Sequence, residues 1–90
     1  MINGRVGSTR RQINWRSTLE DGTAIDVRAV NFPKKWTLKY RPRNADDWIY
    51  DWNAPRSEWE TLLDALQRRY QRQQASQADI DEVKRVIERL

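Results

Sequence analysis

The sequence predicts an α+β domain: a four-stranded antiparallel meander followed by two C-terminal helices packed on its aromatic face, in the order ββββαα. Three observations predict it. Apolar and polar residues alternate with period two between Gln12 and Trp52, interrupted by clusters of turn-forming residues. After Pro55 the apolar period becomes helical. Two serines, Ser57 and Ser76, are each followed three residues later by an acid, the capping signature of a helix start. Residues 1–11 read as a flexible basic arm and residues 12–90 as one domain. The expected strands are at about 12–19, 23–31, 36–41 and 48–52, and the expected helices at about 57–73 and 77–90.

The first hairpin can be derived in register. Asp21-Gly22 lies between two alternating runs, which signals a tight turn. A two-residue Asp21-Gly22 loop would place Trp15 across from Arg28 and Thr18 across from Ile25, mixing apolar and polar side chains on each face. A three-residue loop, Glu20-Asp21-Gly22, puts glycine at the left-handed bulge position and pairs Leu19 with Thr23, Trp15 with Val27 and Ile13 with Ala29. Arg16 then faces Asp26 on the other side. A slip of one residue would reverse every side chain, so burial of the apolar face selects the three-residue loop.

Phe32-Pro33-Lys34-Lys35 interrupts the second strand, because proline cannot donate to a ladder. Trp36, Leu38 and Tyr40 resume the alternation. Residues 42–47 form a loop by composition, and Trp48, Tyr50 and Trp52 alternate with Ile49 and Asp51. The short connections make a meander the expected topology. Trp15, Trp36, Trp48 and Trp52 are expected on one face with Tyr40 and Tyr50, and Ile49 on the other. Four strands at about 4.8 Å spacing present a face roughly 15–19 Å wide. One helix, about 10 Å across, cannot cover it, whereas two can. The first helix carries the stripe Trp59, Leu62, Leu63, Leu66 and Tyr70; the second carries Ile80, Val83, Ile87 and Leu90.

Composition excludes most catalytic chemistry. The 90 residues include neither cysteine nor histidine, so there is no thiolate or imidazole for nucleophilic or acid–base work and no ordinary zinc site. No glycine-rich phosphate loop occurs, and Asp46 and Asp47 read as turn residues. No enzyme activity, metal or cofactor is expected. No apolar run approaches the roughly 20 residues needed to span a bilayer, and the first residues lack the apolar centre of a secretion signal. The expected setting is cytoplasmic, without membrane association.

Charge carries the functional expectation. Residues 1–43 hold ten Lys/Arg against three Asp/Glu, net +7; residues 44–90 hold seven against ten, net −3. Such asymmetry suits a polyanionic partner. The alternation assigns Arg16, Arg28, Lys39 and Arg41 to the outer sheet face, with Asp26 and Asp51 among them. Lys34, Lys35 and Arg43 flank this face, and Arg5, Arg10 and Arg11 lie in the arm. The leading expectation is non-enzymatic nucleic-acid binding through these residues, mainly by phosphate contacts, a feature that does not distinguish DNA from RNA. The alternative is a protein-interaction or homodimerisation module using the stripe Ile80, Val83, Ile87 and Leu90, or exposed aromatics.

The order of strands followed by helix, together with the basic sheet, resembles two groups of single-strand binders, the PUR domains and a class of transcriptional coactivators. The resemblance is one of fold order. It implies a sheet face open to nucleic acid and transfers no site residue.

Overall fold

The protein's structure, a computed structural model, describes residues 11–31 and 35–90. Three strands, β1 (Arg11–Thr18), β2 (Ala24–Asn31) and β3 (Trp36–Pro42), form an antiparallel sheet in the order β1-β2-β3, and two helices follow, α1 (Arg56–Gln71) and α2 (Gln77–Arg89). The chain divides into two compact units, one ending at Trp52 and the other running from Asn53 to Leu90. Among the described residues no helix is long and apolar enough to cross a membrane.

In the first unit, the β1–β2 register is the one the three-residue loop requires. Ile13 pairs with Ala29, Trp15 with Val27 and Arg16 with Asp26. The turn closes through Leu19 N–H donating to the Thr23 carbonyl at 2.9 Å and Gly22 N–H donating to the Leu19 carbonyl at 2.9 Å. Gly22 has φ +90°, a conformation that a Cβ disfavours. Asp21 Oδ1 accepts from the Thr23 N–H at 2.9 Å. Hydrogen bonds from Thr23, its side chain first and then its backbone, hold the Asp21 carboxyl below its ordinary pKa.

β3 continues the pattern: Val27 pairs with Tyr40, Ala29 with Leu38 and Arg28 with Lys39. Alternation therefore sorts the sheet into two faces. Ile13, Ile25, Val27, Ala29, Trp36 and Leu38 are buried on one. Gln12, Asn14, Arg16, Asp26, Arg28, Val30, Thr37, Lys39 and Arg41 lie on the other.

The expected fourth strand at 48–52 is not present; the sheet has three strands. The segment makes one isolated bridge, in which Tyr40 and Ile49 exchange backbone hydrogen bonds of 3.2 and 2.7 Å. An antiparallel ladder continuing from this pair would next join Pro42 to Asp47 and Leu38 to Asp51, since hydrogen-bonded pairs recur every second residue. Pro42 has no N–H to donate, and the chain bends at Asp51, so the ladder stops in both directions. The bridge also reverses the expected faces. Ile49 shares the side of Tyr40, and Trp48 and Tyr50 point to the charged side. Beyond the bend, the Trp52 ring returns to Tyr40, with ring centres 4.7 Å apart.

In the second unit, α1 and α2 pack against each other. α1 begins one residue before the expected start. Pro55 occupies the N-cap in an extended conformation with no side-chain cap, so the expected Ser57–Glu60 capping box does not form. Glu60 Oε2 instead accepts from Arg56 Nε at 3.0 Å, and the Ser57 carbonyl accepts from the Thr61 hydroxyl at 3.0 Å. At the second helix the box does form. Ser76 Oγ accepts from Asp79 N–H at 3.2 Å, and Asp79 Oδ2 accepts from Ser76 N–H at 3.1 Å. Leu62, Leu66, Ile80, Val83 and Ile87 are the buried apolar residues of the two helices.

α1 ends in a Schellman arrangement. Gln74 N–H donates to the Arg69 carbonyl at 2.7 Å and Gln73 N–H to the Tyr70 carbonyl at 2.9 Å, with Gln73 at φ +62°. The two positive-φ positions make a matched prediction. Gly22→Ala is expected to destabilise the protein by about 1–2 kcal/mol. Gln73→Gly is expected to stabilise it by roughly 0.5–1 kcal/mol, the left-handed penalty relieved less the added glycine entropy. Urea midpoints moving in opposite directions would support both; parallel shifts would contradict the turn geometry.

Candidate nucleic-acid interface

The site is the outer face of the three-stranded sheet, and its residues arrive there by parity. On the strands, four side chains of this face are cationic (Arg16, Arg28, Lys39 and Arg41) and one, Asp26, is acidic. Arg28 and Lys39 are direct cross-strand partners. Like charges side by side cost stability, and three kinds of interaction offset that cost. Arg28 Nε donates to Asn14 Oδ1 at 2.9 Å. Arg41 reaches Asp26 at 3.3 Å, and Arg43 reaches the other oxygen of Asp26 at 3.9 Å. The third interaction is aromatic: the Trp48 ring gathers the cations. Its centre lies 4.4 Å from the Arg28 guanidinium carbon, 4.9 Å from that of Arg41 and 5.5 Å from Lys39 Nζ. The electron-rich ring face attracts each cation by about 0.5–1 kcal/mol where water has access. Lys39 Nζ also lies 4.5 Å from the centre of the Tyr50 ring.

The structure thus brings Arg28, Lys39 and Arg41 around one indole. Arg16 stands exposed on β1, and Lys35 is exposed just before β3. Arg43 is exposed after β3, where its N–H donates to the Ala24 carbonyl at 3.0 Å. Arg11 opens β1 opposite Asn31 rather than ending an arm. Arg5, Arg10 and Lys34 lie outside the described residues. The expected Arg16–Asp26 pairing holds as backbone register, while the described ion pairs of Asp26 go to Arg41 and Arg43. Arg41 Nε is shielded from solvent and has no hydrogen-bond partner among the described residues, so part of this guanidinium's bonding capacity is unused.

Trp48 and Tyr50 are the residues that alternation alone misplaces. Tyr50 is 70% exposed, and Ile49, expected outside, is 38% exposed on the Tyr40 side of the bridge. The available signal was Ile49 itself: the expected parity left one β-branched apolar residue on a charged face. Beside Tyr50 a cleft of about 290 Å³ opens, lined by Gln12, Arg28, Val30, Thr37 and Lys39.

The acids stand mainly at the margins, with Glu20 and Asp21 in the β1–β2 turn and Asp46, Asp47 and Asp51 in the segment after β3. Among the described residues no cluster of three metal-ligating side chains occurs. On α2, Ile80, Val83 and Ile87 are buried, which leaves Leu90, 56% exposed, as the part of the expected interaction stripe open to a partner. No family model, curated protein or solved structure matches this chain.

Proposed function

We propose that this protein is a non-enzymatic nucleic-acid-binding domain that uses the outer face of its sheet. The observation that carries the reading is the convergence of Arg28, Lys39 and Arg41 around Trp48 on the face opposite the buried apolar layer. Stacking against the ring holds the cations in place while leaving hydrogen-bond donors unused, so phosphate oxygens meet preordered partners. Arg16, Lys35 and Arg43 extend the positive track, and Arg5, Arg10, Arg11 and Lys34 add positive charge in the N-terminal segment and the β2–β3 connection. Asn14 and Thr37 offer neutral polar groups on the same face. The reading needs no catalytic group, which suits a sequence without histidine or cysteine. The proposed setting is cytoplasmic, a compartment in which disulfides are not required.

The test is a titration with short oligonucleotides at several salt concentrations. Binding is expected to weaken as a straight line in log affinity against log salt. Its slope is about 0.7–0.9 per phosphate neutralised. Absence of binding to both single and double strands at low salt would remove the proposal.

A further inference from the structure

The rings on the charged face bear on the kind of strand bound. We infer that the ligand of this face is single-stranded, with an unpaired base stacked on Tyr50 and the adjoining phosphate held between Arg28 and Lys39. The inference rests on the nucleic-acid reading above and adds the strandedness and the stacking residue.

Four observations support it. Tyr50 is a large ring left 70% exposed, on a charged face rather than in the core. Lys39 Nζ sits 4.5 Å from the centre of that ring, so a cation is already paired with the π-system at the point where a base and its phosphate would arrive together. The cleft beside the ring, about 290 Å³, is large enough to admit one planar base. Its lining supplies both kinds of group a nucleotide needs. Arg28 and Lys39 meet phosphate, and Gln12 and Thr37 present hydrogen-bonding groups to a base edge. A duplex cannot use this arrangement, because its base faces are buried in their own stack, and it would meet only the cations.

Trp48 has a separate role. With three cations around its ring, it anchors the charges, whereas Tyr50 carries only Lys39 beside its ring and, at 70% exposure, keeps ring area for a base.

The test compares a short single strand with an abasic strand of equal length, which keeps the phosphates and removes the bases. Fluorescence anisotropy is measured on the full chain at low salt. The wild-type protein is expected to bind the single strand about 5- to 150-fold more tightly than the abasic strand, the range for one stacked base. Tyr50→Ala is expected to close most of that gap, with a much smaller loss of abasic binding through the freed Lys39, and Tyr50→Phe to preserve it. Because Tyr50 is exposed, neither variant should alter the thermal melt appreciably. Equal wild-type affinity for the two strands, or a gap that survives Tyr50→Ala, would overturn the stacking inference and leave the electrostatic reading standing. Failure to bind either strand or duplex at low salt would overturn both.

Discussion

Val27→Asp is expected to remove a large share of the protein's stability. Val27 is fully buried at the centre of the sheet, opposite Trp15 on one neighbouring strand and Tyr40 on the other. A carboxylate placed there must either remain charged without a partner or take up a proton at a raised pKa, and both outcomes cost folding free energy. The expected loss is about 3–5 kcal/mol. Total stability for a domain of this kind is only about 5–15 kcal/mol. At roughly 4–8 °C of melting temperature per kcal/mol, the thermal transition should fall by tens of degrees or vanish. The matched control is Val30→Asp, three residues along β2 and on the opposite face between Gln12 and Thr37. There the substitution loses only β-propensity, within about 1 kcal/mol, and brings a carboxylate close to Arg28 and Lys39. Circular dichroism melts of the two variants test the assignment of faces. A Val27→Asp melt matching that of the wild type would refute it.

The second large effect concerns binding. Changing Arg16, Arg28 and Lys39 together to alanine is expected to reduce the salt slope of oligonucleotide binding by about 2–3, because each phosphate left without its cation removes roughly 0.7–0.9. Affinity should fall across sequences without a change in base preference, since phosphate contacts carry no sequence information. The fold should survive. The triple variant gives up the hydrogen bond from Arg28 to Asn14 and the stacking of Arg28 and Lys39 on Trp48, surface interactions each contributing about 1 kcal/mol or less. An unchanged slope in a variant that melts normally would show that nucleic acid, if bound, uses another surface. This outcome differs from the expected Tyr50→Ala result, in which the abasic strand keeps its salt slope because no charge is removed.

The two experiments divide the outer face by mechanism. The cations set how strongly affinity depends on salt, and the tyrosine sets whether bases matter. Trp48 couples the two groups of residues physically. Its ring centre lies within 5.5 Å of the charged groups of Arg28, Lys39 and Arg41, so removing the ring would free the cations from their ordered positions while removing no charge.

Much of this architecture is legible in the sequence. Alternation of Ile13, Trp15, Val27 and Ala29 together with Gly22 determined the register of the first hairpin, because a glycine-bearing turn and a single apolar face leave only one pairing. Ser76 and Asp79 determined the start of α2 through hydrogen bonds three residues apart. These are local interactions, made within a few residues along the chain or across one tight turn. The same local rule failed at Ser57 and Glu60, where Pro55 took the cap position and Arg56 took the glutamate.

What the sequence by itself determined is therefore the α+β class, the paired hairpin, the two helices and the set of cations on one sheet face. Only the tertiary structure decided the number of strands and the side on which Trp48 and Tyr50 lie. Trp48, Ile49 and Tyr50 are apolar or aromatic at every position, so periodicity separates the two parities only through Ile49. The choice is made by one long-range backbone pair, Tyr40 with Ile49, confined between a proline that cannot donate and a bend at Asp51, and by the attraction of the indole for three cations contributed by β2 and β3.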